Sequence, residues 1–568
     1  MRKVGIFEKK NIIIVGLAIA LAASGVGNVL LATRQLQPEI TPNKPLVLSA
    51  NPATLILDPL NAVDFASKLF LEQVVETLFT YNLSSLSLPR IPHLAESYWW
   101  ENATTLHIKL REGILFHDLT AFNANTTKWN FDRILYLSNC TSLLPSTISL
   151  GEYASLYFMP DGVTPIINHV DSNREYNVTI FLNGSYAPFL DLLCHISSAM
   201  VSPYSTRDNS YIEPKYERIV GTGPFIYKYF LPRYKSYVAE LRLDSFRLYW
   251  QEEPFFKEII VVFYDPTWRC PYIIDYDVDW PTNFLTYDIS TIETYDYATV
   301  MKFTDIYGLP RLDYQYLGMN NKHISLPWRK AISYAINYTY IIEELLNDFV
   351  VRANSPISPG FGDAYNASIG AADYDLIIAR QILVDAGIAV GYPINANLSD
   401  PYWLTNPLIS LNYTYNIGNS IREDIYDALE VWLPAIGIQV IDDGVIWAAF
   451  LRKLFEDQDE FHLFWVGWAP DYKDPFNMLD LIFNPTSYAN SVQVNDTKLN
   501  NLLNLALQTT DDTARNTIYK NIQWYLSNRL FPQCFGYHSK MIYVHKADLH
   551  GVQYNALNKV YVYPVYRV

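Results

Sequence analysis

The sequence is poor in cysteine and lacks the common catalytic motifs. None of its four cysteines, Cys140, Cys194, Cys270 and Cys534, belongs to a C-x-x-C pair, which argues against a zinc or redox motif. The motifs H-E-x-x-H, G-x-S-x-G and G-x-x-x-x-G-K-S/T are missing, and the ten histidines are scattered along the chain. We therefore predict that the protein is not an enzyme and has no catalytic residue, metal site or other cofactor.

Basic residues are also scarce relative to acidic ones. The chain has 42 Lys and Arg against 58 Asp and Glu, a formal net charge of −16, and no long basic run. Because such a chain repels phosphate backbones, nucleic acid is excluded as a partner. The length of 568 residues and the 50% of apolar residues predict a globular protein of two or three domains.

The longest apolar run lies near the N-terminus. The basic segment MRKVGIFEKK precedes an apolar run that extends from residue 12 to about residue 32. This length is close to the roughly 20 residues that span a bilayer, and it exceeds the apolar core of about 7–15 residues of a usual signal peptide. We expect residues 1–45 to form an uncleaved membrane anchor and a Pro-rich tether, with the rest of the chain outside the cell. Cleavage near the small residues at 20–22 is the alternative.

Asparagine occurs often in the glycosylation pattern Asn-x-Ser/Thr. This enrichment predicts a glycosylated, extracellular surface, although a chain rich in Asn and Thr also forms such patterns by accident. The acceptor positions are Asn82, Asn102, Asn125, Asn139, Asn177, Asn183, Asn337, Asn366, Asn397, Asn412 and Asn495.

Strand-like and helix-like patterns alternate along the chain. LVLSA and FHLFWVGW have the apolar character of strands, whereas SKLFLEQVVETLFTYN and PWRKAISYAINYTYIIEELL repeat apolar residues at helical spacing. Because neither type dominates and no internal repeat is visible, the pattern predicts α/β domains.

Several segments together resemble one family. ILDPLNAVD, LAESYWWENATTLHIKLREGILFHD, VGTGPFIY, YLGMNNKHISLPWRKAISYAIN, ARQILVDAGI and GWAPDYKDP occur in this order. They are similar to motifs of the extracytoplasmic solute-binding proteins of family 5, the peptide/nickel class of ABC importers. The resemblance covers about 50–568. Leu119 and Thr120 depart from it, because the family has a Gly-containing turn there.

The resemblance implies a two-lobed α/β clamp of the type II periplasmic-binding-protein class, with discontinuous domains. Lobe one is expected from 46–75, 200–310 and 515–568, a smaller inserted domain from 76–199, and lobe two from 311–514. The ligand binds between the lobes. Spacing alone allows three cysteine pairings, and this layout favours Cys140–Cys194 and Cys270–Cys534.

The resemblance also implies the ligand-binding residues. In peptide-binding relatives, the acid of a W-x-x-D phrase holds the α-ammonium of the peptide, and Trp468–Asp471 matches that phrase. Asp471 is therefore the predicted partner of the ammonium, and Trp468 and Trp465 are predicted to form the walls of side-chain pockets. We interpret Asp474 as a turn residue beside a proline. The further candidates for the cleft are Gly467, Tyr472, Tyr314, Tyr316, Asn320 and Trp447.

These expectations describe a monomeric receptor at the cell surface that delivers a peptide to the permease subunits of an ABC importer. Three alternatives stay open at this point. The same fold binds oligosaccharides or metal chelates in some relatives, because fold does not determine the ligand. A sensor role is the second alternative. A secreted hydrolase on an α/β scaffold is the third, and the missing nucleophile and metal motifs argue against it.

Overall fold

The computed structural model describes residues 44–51, 55–139, 153–206, 210–212, 218–232, 239–263, 278–282, 289–294 and 298–568. The predicted anchor at 12–32 lies outside these residues, as do Cys140 and Cys270. Among the helices of the described ranges, none combines the length and the apolar character that crossing a bilayer requires.

The strands form six sheets, of which three are large. In chain order the strands are β1 (Leu46–Ala50), β2 (Phe79–Tyr81), β3 (Arg90–Pro92), β4 (Ala95–Asn102), β5 (Thr105–Leu110), β6 (Ile167–Arg174), β7 (Asn177–Leu182), β8 (Phe225–Leu231), β9 (Ala239–Ser245), β10 (Glu258–Phe263), β11 (Trp280–Pro281), β12 (Ala298–Lys302), β13 (Tyr314–Met319), β14 (Val350–Arg352), β15 (Ile409–Asn416), β16 (Ile438–Val445), β17 (Leu463–Trp468), β18 (Gln533–Ser539), β19 (Ile542–Lys546), β20 (Leu549–His550) and β21 (Tyr566–Arg567).

Helices alternate with these strands, as the sequence predicts. The helical pattern over 67–82 is wrong at its end, because the helix ends at Val74 and Phe79–Tyr81 pair as β2. The helices are α1 (Phe65–Val74), α2 (Ala124–Leu137), α3 (Phe189–Leu192), α4 (Ile289–Ile292), α5 (Phe303–Tyr307), α6 (Leu326–Ala335), α7 (Leu376–Asp385), α8 (Pro401–Thr405), α9 (Ser420–Trp432), α10 (Trp447–Phe455), α11 (Pro475–Phe483), α12 (Thr497–Gln508) and α13 (Asp512–Tyr525). Short 3₁₀ and π turns lie between them, for example at Ala154–Tyr157 and Leu526–Leu530.

The first sheet has the strand order β11-β1-β10-β9-β8, in which β1 is parallel to both β10 and β11. The second sheet has the order β14-β18-β13-β17-β15-β16, in which β15 is parallel to both β16 and β17. The third sheet, β4-β5-β7-β6, is antiparallel and lies within the predicted inserted domain.

The chain passes from the neighbourhood of the first sheet to the second and back again. It leaves after β12 to enter β13, and it returns from β18 into β19. β12 and β19 pair with each other, and the backbone N–H of Lys546, at the end of β19, donates to the carbonyl of Asp279, which precedes β11. The two connections therefore lie side by side. Strand β18 belongs to the second sheet, although it falls within the segment 515–568 that was predicted for lobe one. The domain boundaries given above stay a prediction.

The two glycines of the GTGPF segment allow it to lie directly against the end of α1. A Cβ atom at Gly221 would lie 2.1 Å from the carbonyl oxygen of Val74, and one at Gly223 would lie 2.7 Å from that of Gln73. The backbone N–H of Gly223 donates to Val74 at 3.0 Å. His117 lies within hydrogen-bonding distance of the Gly223 carbonyl, with Nε2 at 2.9 Å. The GTGPF segment and the LREGILFHD segment, which both contribute to the family resemblance, therefore contact each other at the C-terminal end of α1.

The turn at Leu119 keeps the shape that a glycine would give it. Leu119 has a φ of 67°, in the left-handed region, and its side chain is exposed. Backbone bonds from Phe116 to Thr120 and from Leu119 to Phe116 close the turn. Because a left-handed residue other than glycine costs roughly 1–2 kcal/mol, the surrounding strands and the turn hydrogen bonds must hold this conformation.

The two described cysteines are buried free thiols. The Cys194 thiol donates to the carbonyl of Leu190 at 3.2 Å, and Cys534 lies 3.5 Å from the hydroxyl of Ser333. The predicted disulfides are therefore wrong for these two residues. Each thiol instead packs as a small apolar side chain with weak hydrogen bonds.

Candidate ligand-binding site

The carboxyl ends of three parallel strands meet at one edge of the second sheet. Strand β15 ends here at Asn416, and β17 ends at Trp468 and leads to Asp471. Strand β16 ends at Val445, and Trp447 follows it. In open α/β sheets, ligands bind outside the carboxyl ends of the strands. This edge is therefore where a ligand site is expected.

The first sheet presents an equivalent edge at the end of β1. From there the chain runs through the LDPLNAVD segment into α1, which begins at the N-cap Asp64. Lys68 on α1 places its ammonium 5.4 Å from the centre of the Tyr153 ring. The hydroxyl of Tyr153 donates to the carbonyl of Ala62 at 3.1 Å, so the same segment positions both side chains.

The two edges border one continuous buried apolar cluster and carry opposite charges that interact with each other. One continuous buried cluster contains Leu57 of the first edge and Val466 of β17, and Trp468 packs against it. Lys68 and Asp471 lie close enough for each charge to change the pKa of the other group. Neither of the two side chains has an ion-pair partner within 4 Å among the residues that the structure describes.

Asn477, near the start of α11, holds Asp471 in place. The backbone N–H of Asp471 donates to Asn477 Oδ1 at 2.8 Å, and Asn477 Nδ2 lies 3.4 Å from the Asp471 carboxylate. Burial raises the pKa of the Asp471 carboxyl, against the positive charge of Lys68 and the bond from Asn477. A positioned carboxylate that has lost water without gaining a cation is a site for a cationic ligand group.

Trp468 is the aromatic residue of the motif that lies on this edge. It pairs with Tyr314 across β13 and β17, is partly buried, and meets the Phe455 ring edge-on at 6.5 Å. Gly467, next to it, leaves room for the side chain of Gln315, because a Cβ atom there would lie 1.8 Å from Gln315 Nε2. Gly467 therefore permits a side chain from the neighbouring strand to cross it.

Four other candidates are packed in the interior. Trp465 lies in the core on the opposite face of the second sheet, 6.1 Å from the Tyr537 ring. Tyr314 and Tyr316 stack on each other at 5.1 Å and are buried. Tyr472 is buried, with its hydroxyl 2.9 Å from that of Tyr186. This last contact joins the end of β17 to the region of the third sheet.

Asn320 lies at the opposite end of β13 from this edge, whereas Trp447 follows the end of β16 on the edge itself. Because β13 and β17 are antiparallel, Asn320 is six residues along the strand from the partner of Trp468, about 20 Å at roughly 3.3 Å per residue. Its side chain closes a turn, accepting from Lys322 N and donating to the Gln458 carbonyl. Trp447 is half exposed at the start of α10, where its ring stacks on Phe450 at 5.7 Å.

Asp474 is a structural residue, which agrees with its interpretation as a turn residue. It is 3% exposed and caps α11 by accepting from Phe476 N at 2.8 Å. The hydroxyl of Tyr519 donates to it at 2.5 Å, and Arg515 lies 3.3 Å from its second oxygen. Three residues after Asp471, a second aspartate is thus fully engaged with the protein itself.

An ionic network extends from Asp474 towards the region of the third sheet. Arg515 also pairs with Asp512 at 2.7 Å, and Asp512 pairs with Arg90 at 3.0 Å. Arg90 in turn pairs with the buried Asp191. The network joins α11 and α13 to strand β3 and so supports the loop that carries Asp471.

Lys68, Tyr153 and Asn477 were not among the residues that the sequence indicated. The sequence could have indicated Lys68 as a candidate, because Lys68 and Glu72 are the only charged residues of α1 and lie one helical turn apart on one face. Nothing in the sequence indicated Tyr153 or Asn477, since both reach the site through contacts between segments that are distant in the chain.

The comparisons with known proteins agree with this architecture. The profile of the bacterial extracellular solute-binding proteins, family 5 middle, matches residues 90–490. The glutathione-binding protein GsiB of Shigella flexneri is 25% identical over 89% of this chain and 90% of that protein. The heme-binding protein A of Haemophilus influenzae is 24% identical over 88% of each.

A solved structure shows the same fold. The periplasmic binding protein DppA of Helicobacter pylori, associated with an ABC transporter and solved with the peptide STSA, superposes with a TM-score of 0.71. It is 21% identical, and the match covers 92% of this chain and 98% of that one. The predicted two-lobed α/β clamp of type II is thereby confirmed, and so is the resemblance. The chain belongs to family 5 of the extracellular solute-binding proteins.

Proposed function

We propose that the protein captures a peptide between its two lobes and delivers it to the permease of an ABC importer. One observation carries this proposal: Asp471 is a positioned, partly buried carboxylate without a cationic partner in direct contact. The DppA structure contains a peptide, and GsiB is named for glutathione, itself a peptide. Because a heme-binding protein shares the family, the argument for a peptide rests on Asp471 rather than on the fold.

The α-ammonium of the peptide pairs with Asp471 in this proposal. A closing cleft removes water from the ammonium, and a fixed carboxylate compensates for that loss with a charge-assisted hydrogen bond. Trp468 forms an apolar wall beside it, and the peptide backbone makes strand-like hydrogen bonds that do not depend on its sequence. Lys68 faces Asp471 from the other edge, so the two lobes together determine the charge of the site.

The protein acts outside the cytoplasm as a monomeric receptor in this proposal, held to the membrane by residues 12–32, and it catalyses no reaction. Glycosylation of the surface has support from the placement of the acceptor asparagines. None of the eleven acceptors predicted from the sequence is buried, whereas five other asparagines in the described part of the chain are: Asn130, Asn320, Asn477, Asn490 and Asn555. A glycan attached at any of the eleven therefore has access to solvent at its root.

Calorimetry with free and N-acetylated forms of one peptide tests the proposal. Between about pH 7 and pH 4, the affinity for the free peptide is expected to fall as Asp471 takes up a proton. The fall begins above the usual carboxyl range, because burial raises the pKa of the unliganded group. Above that pKa the carboxylate is charged and binding is at its strongest, up to the pH at which the peptide ammonium itself loses its proton.

The acetylated peptide is the matched control. It has no ammonium, so its affinity is expected to be low at every pH and to show no such fall. Equal affinities for the two peptides, or the same pH dependence for both, would contradict the role of Asp471.

A further inference from the structure

A cavity lies in the protein at a place separate from the edge that carries Asp471. Its volume is about 320 Å³, and it lies between the end of α1, the β2–β3 hairpin and the C-terminal segment 553–564. No residue of 311–539, which includes the second sheet, lines it. Ile91 and Gln251 at its rim are exposed, so the cavity is open to solvent.

The charged groups in the walls of this cavity already have partners within the protein. Lys559 pairs with Glu72 at 3.1 Å. The buried carboxylate of Glu76 accepts from the hydroxyls of Tyr249 and Thr222, both at 2.7 Å, and lies 2.9 Å from His93 Nε2. A charged ligand would have to displace one of these partners to obtain a counter-charge, and it would lose its water on entry.

Uncharged polar groups of the same walls keep free hydrogen-bonding capacity. Among the described residues, nothing bonds to the side-chain amide of Gln553. The carbonyl oxygen of the Gln251 side chain is likewise unused, since this amide only donates, to the hydroxyl of Tyr249. Tyr563 accepts from Glu252 N and keeps its hydroxyl proton for another acceptor.

Apolar surface lies beside these groups. The rings of Tyr561 and Tyr563, 6.1 Å apart, contribute flat apolar faces, and Leu83 and Ile196 add aliphatic ones. A ring with C–H groups on its faces and hydroxyls around its edge matches such a lining, since the faces contact the apolar side chains and the edge reaches the amides. The volume lies near the lower end of the range for ligand pockets, which limits the occupant to one small molecule.

We propose that this cavity is a second ligand site, which binds one neutral, polyhydroxylated molecule of the size of a monosaccharide. The site is independent of the peptide cleft. Its affinity comes from the free amides of Gln251 and Gln553 and from the tyrosine rings, and its selectivity against ions comes from the engagement of Glu72, Glu76 and Lys559 with partners in the protein.

Calorimetry with D-glucose, D-glucosamine and D-glucuronate tests this site, because the three molecules share one ring and differ in charge. Glucose is expected to bind, and the cationic and anionic relatives are expected to bind at least tenfold more weakly. D-Galactose and D-mannose extend the neutral series. If no neutral sugar binds the full chain, or if a charged relative binds as tightly as glucose, the proposal is overturned.

Two variants locate the binding. Gln553→Ala removes a free amide, and Ile91→Trp obstructs the rim; each is expected to weaken sugar binding at least tenfold. Gln439→Ala, an exposed glutamine on β16, is the matched control and should bind normally. Thermal melts verify that each variant is folded. If both cavity variants bind glucose like the wild-type chain, or if a peptide displaces the sugar, the sugar occupies another site and the proposal is overturned.

Discussion

Asp471→Asn is expected to weaken peptide binding by roughly 30-fold to several thousand-fold. This corresponds to about 2–5 kcal/mol, the usual cost of removing one partner of a buried charge pair. Asparagine keeps the shape of the side chain and one acceptor oxygen, so the contacts with Asn477 survive and the fold is expected to stay intact. Isothermal titration calorimetry with a free peptide measures the loss.

A double-mutant cycle with the acetylated peptide separates the ion pair from other effects. Acetylation removes the ammonium and Asp471→Asn removes the carboxylate, so each change deletes the same interaction. Applied together, they should cost clearly less than the sum of the separate losses. Full additivity would mean that Asp471 and the ammonium act independently, and binding by Asp471→Asn at wild-type strength would remove the residue from the site.

Asp474→Asn is expected to have the opposite profile, with a loss of stability and little change in the affinity of the folded protein. The variant leaves Arg515 and Tyr519 facing an uncharged amide inside the protein, at 3.3 and 2.5 Å. Breaking a buried pair costs about 3–5 kcal/mol, and we expect the lower end because Arg515 keeps Asp512. Urea denaturation followed by tryptophan fluorescence measures the loss of stability.

Asp512→Asn is the matched control within the same network. Asp512 is 59% exposed and also pairs with Arg515, so its loss should cost less than about 1 kcal/mol. If Asp474→Asn is as stable as Asp512→Asn, the buried pair contributes little. If Asp474→Asn instead loses affinity as strongly as Asp471→Asn, the separation of the two aspartates into a binding and a structural residue is wrong.

The fold could be read from the sequence because its signals are local. Apolar periodicity placed α1 and the strand that ends at Trp468, and the ordered motifs indicated the family. The motif GTGPF alone does not explain why glycine is needed in it. The structure shows that the segment approaches the Val74 carbonyl too closely for a Cβ atom. The chain order of such segments determines the topology of a family, but not which side chains meet.

The placement of the two tryptophans shows where the prediction could have been sharper. Trp465 and Trp468 are three residues apart in one strand, and strand side chains alternate with a period of two. The pair therefore lies on opposite faces, with Trp465 in the core of the second sheet and Trp468 at the edge beside Asp471. Strand periodicity alone gives this result once the segment is recognised as a strand.

Other features depend on contacts that no local pattern encodes. The antiparallel direction of β13 decides that Tyr314, rather than Asn320, lies beside Trp468. The charge of Lys68 acts on the pKa of Asp471, although Lys68 lies on α1, far away in the chain. Cys194 and Cys534 are free thiols buried among apolar side chains, which an assignment of cysteines to domains does not reveal.

Native mass spectrometry of the full chain, incubated with an equimolar mixture of ligands, tests the central claim most directly. The mixture contains one tetrapeptide, its N-acetylated form, a nickel–histidine chelate and a neutral trisaccharide. The account predicts that the free tetrapeptide is retained, intact and at one copy per chain, and that Asp471→Asn loses it. Retention of the acetylated peptide, the chelate or the trisaccharide instead, or the appearance of peptide fragments, would contradict a peptide receptor built around Asp471.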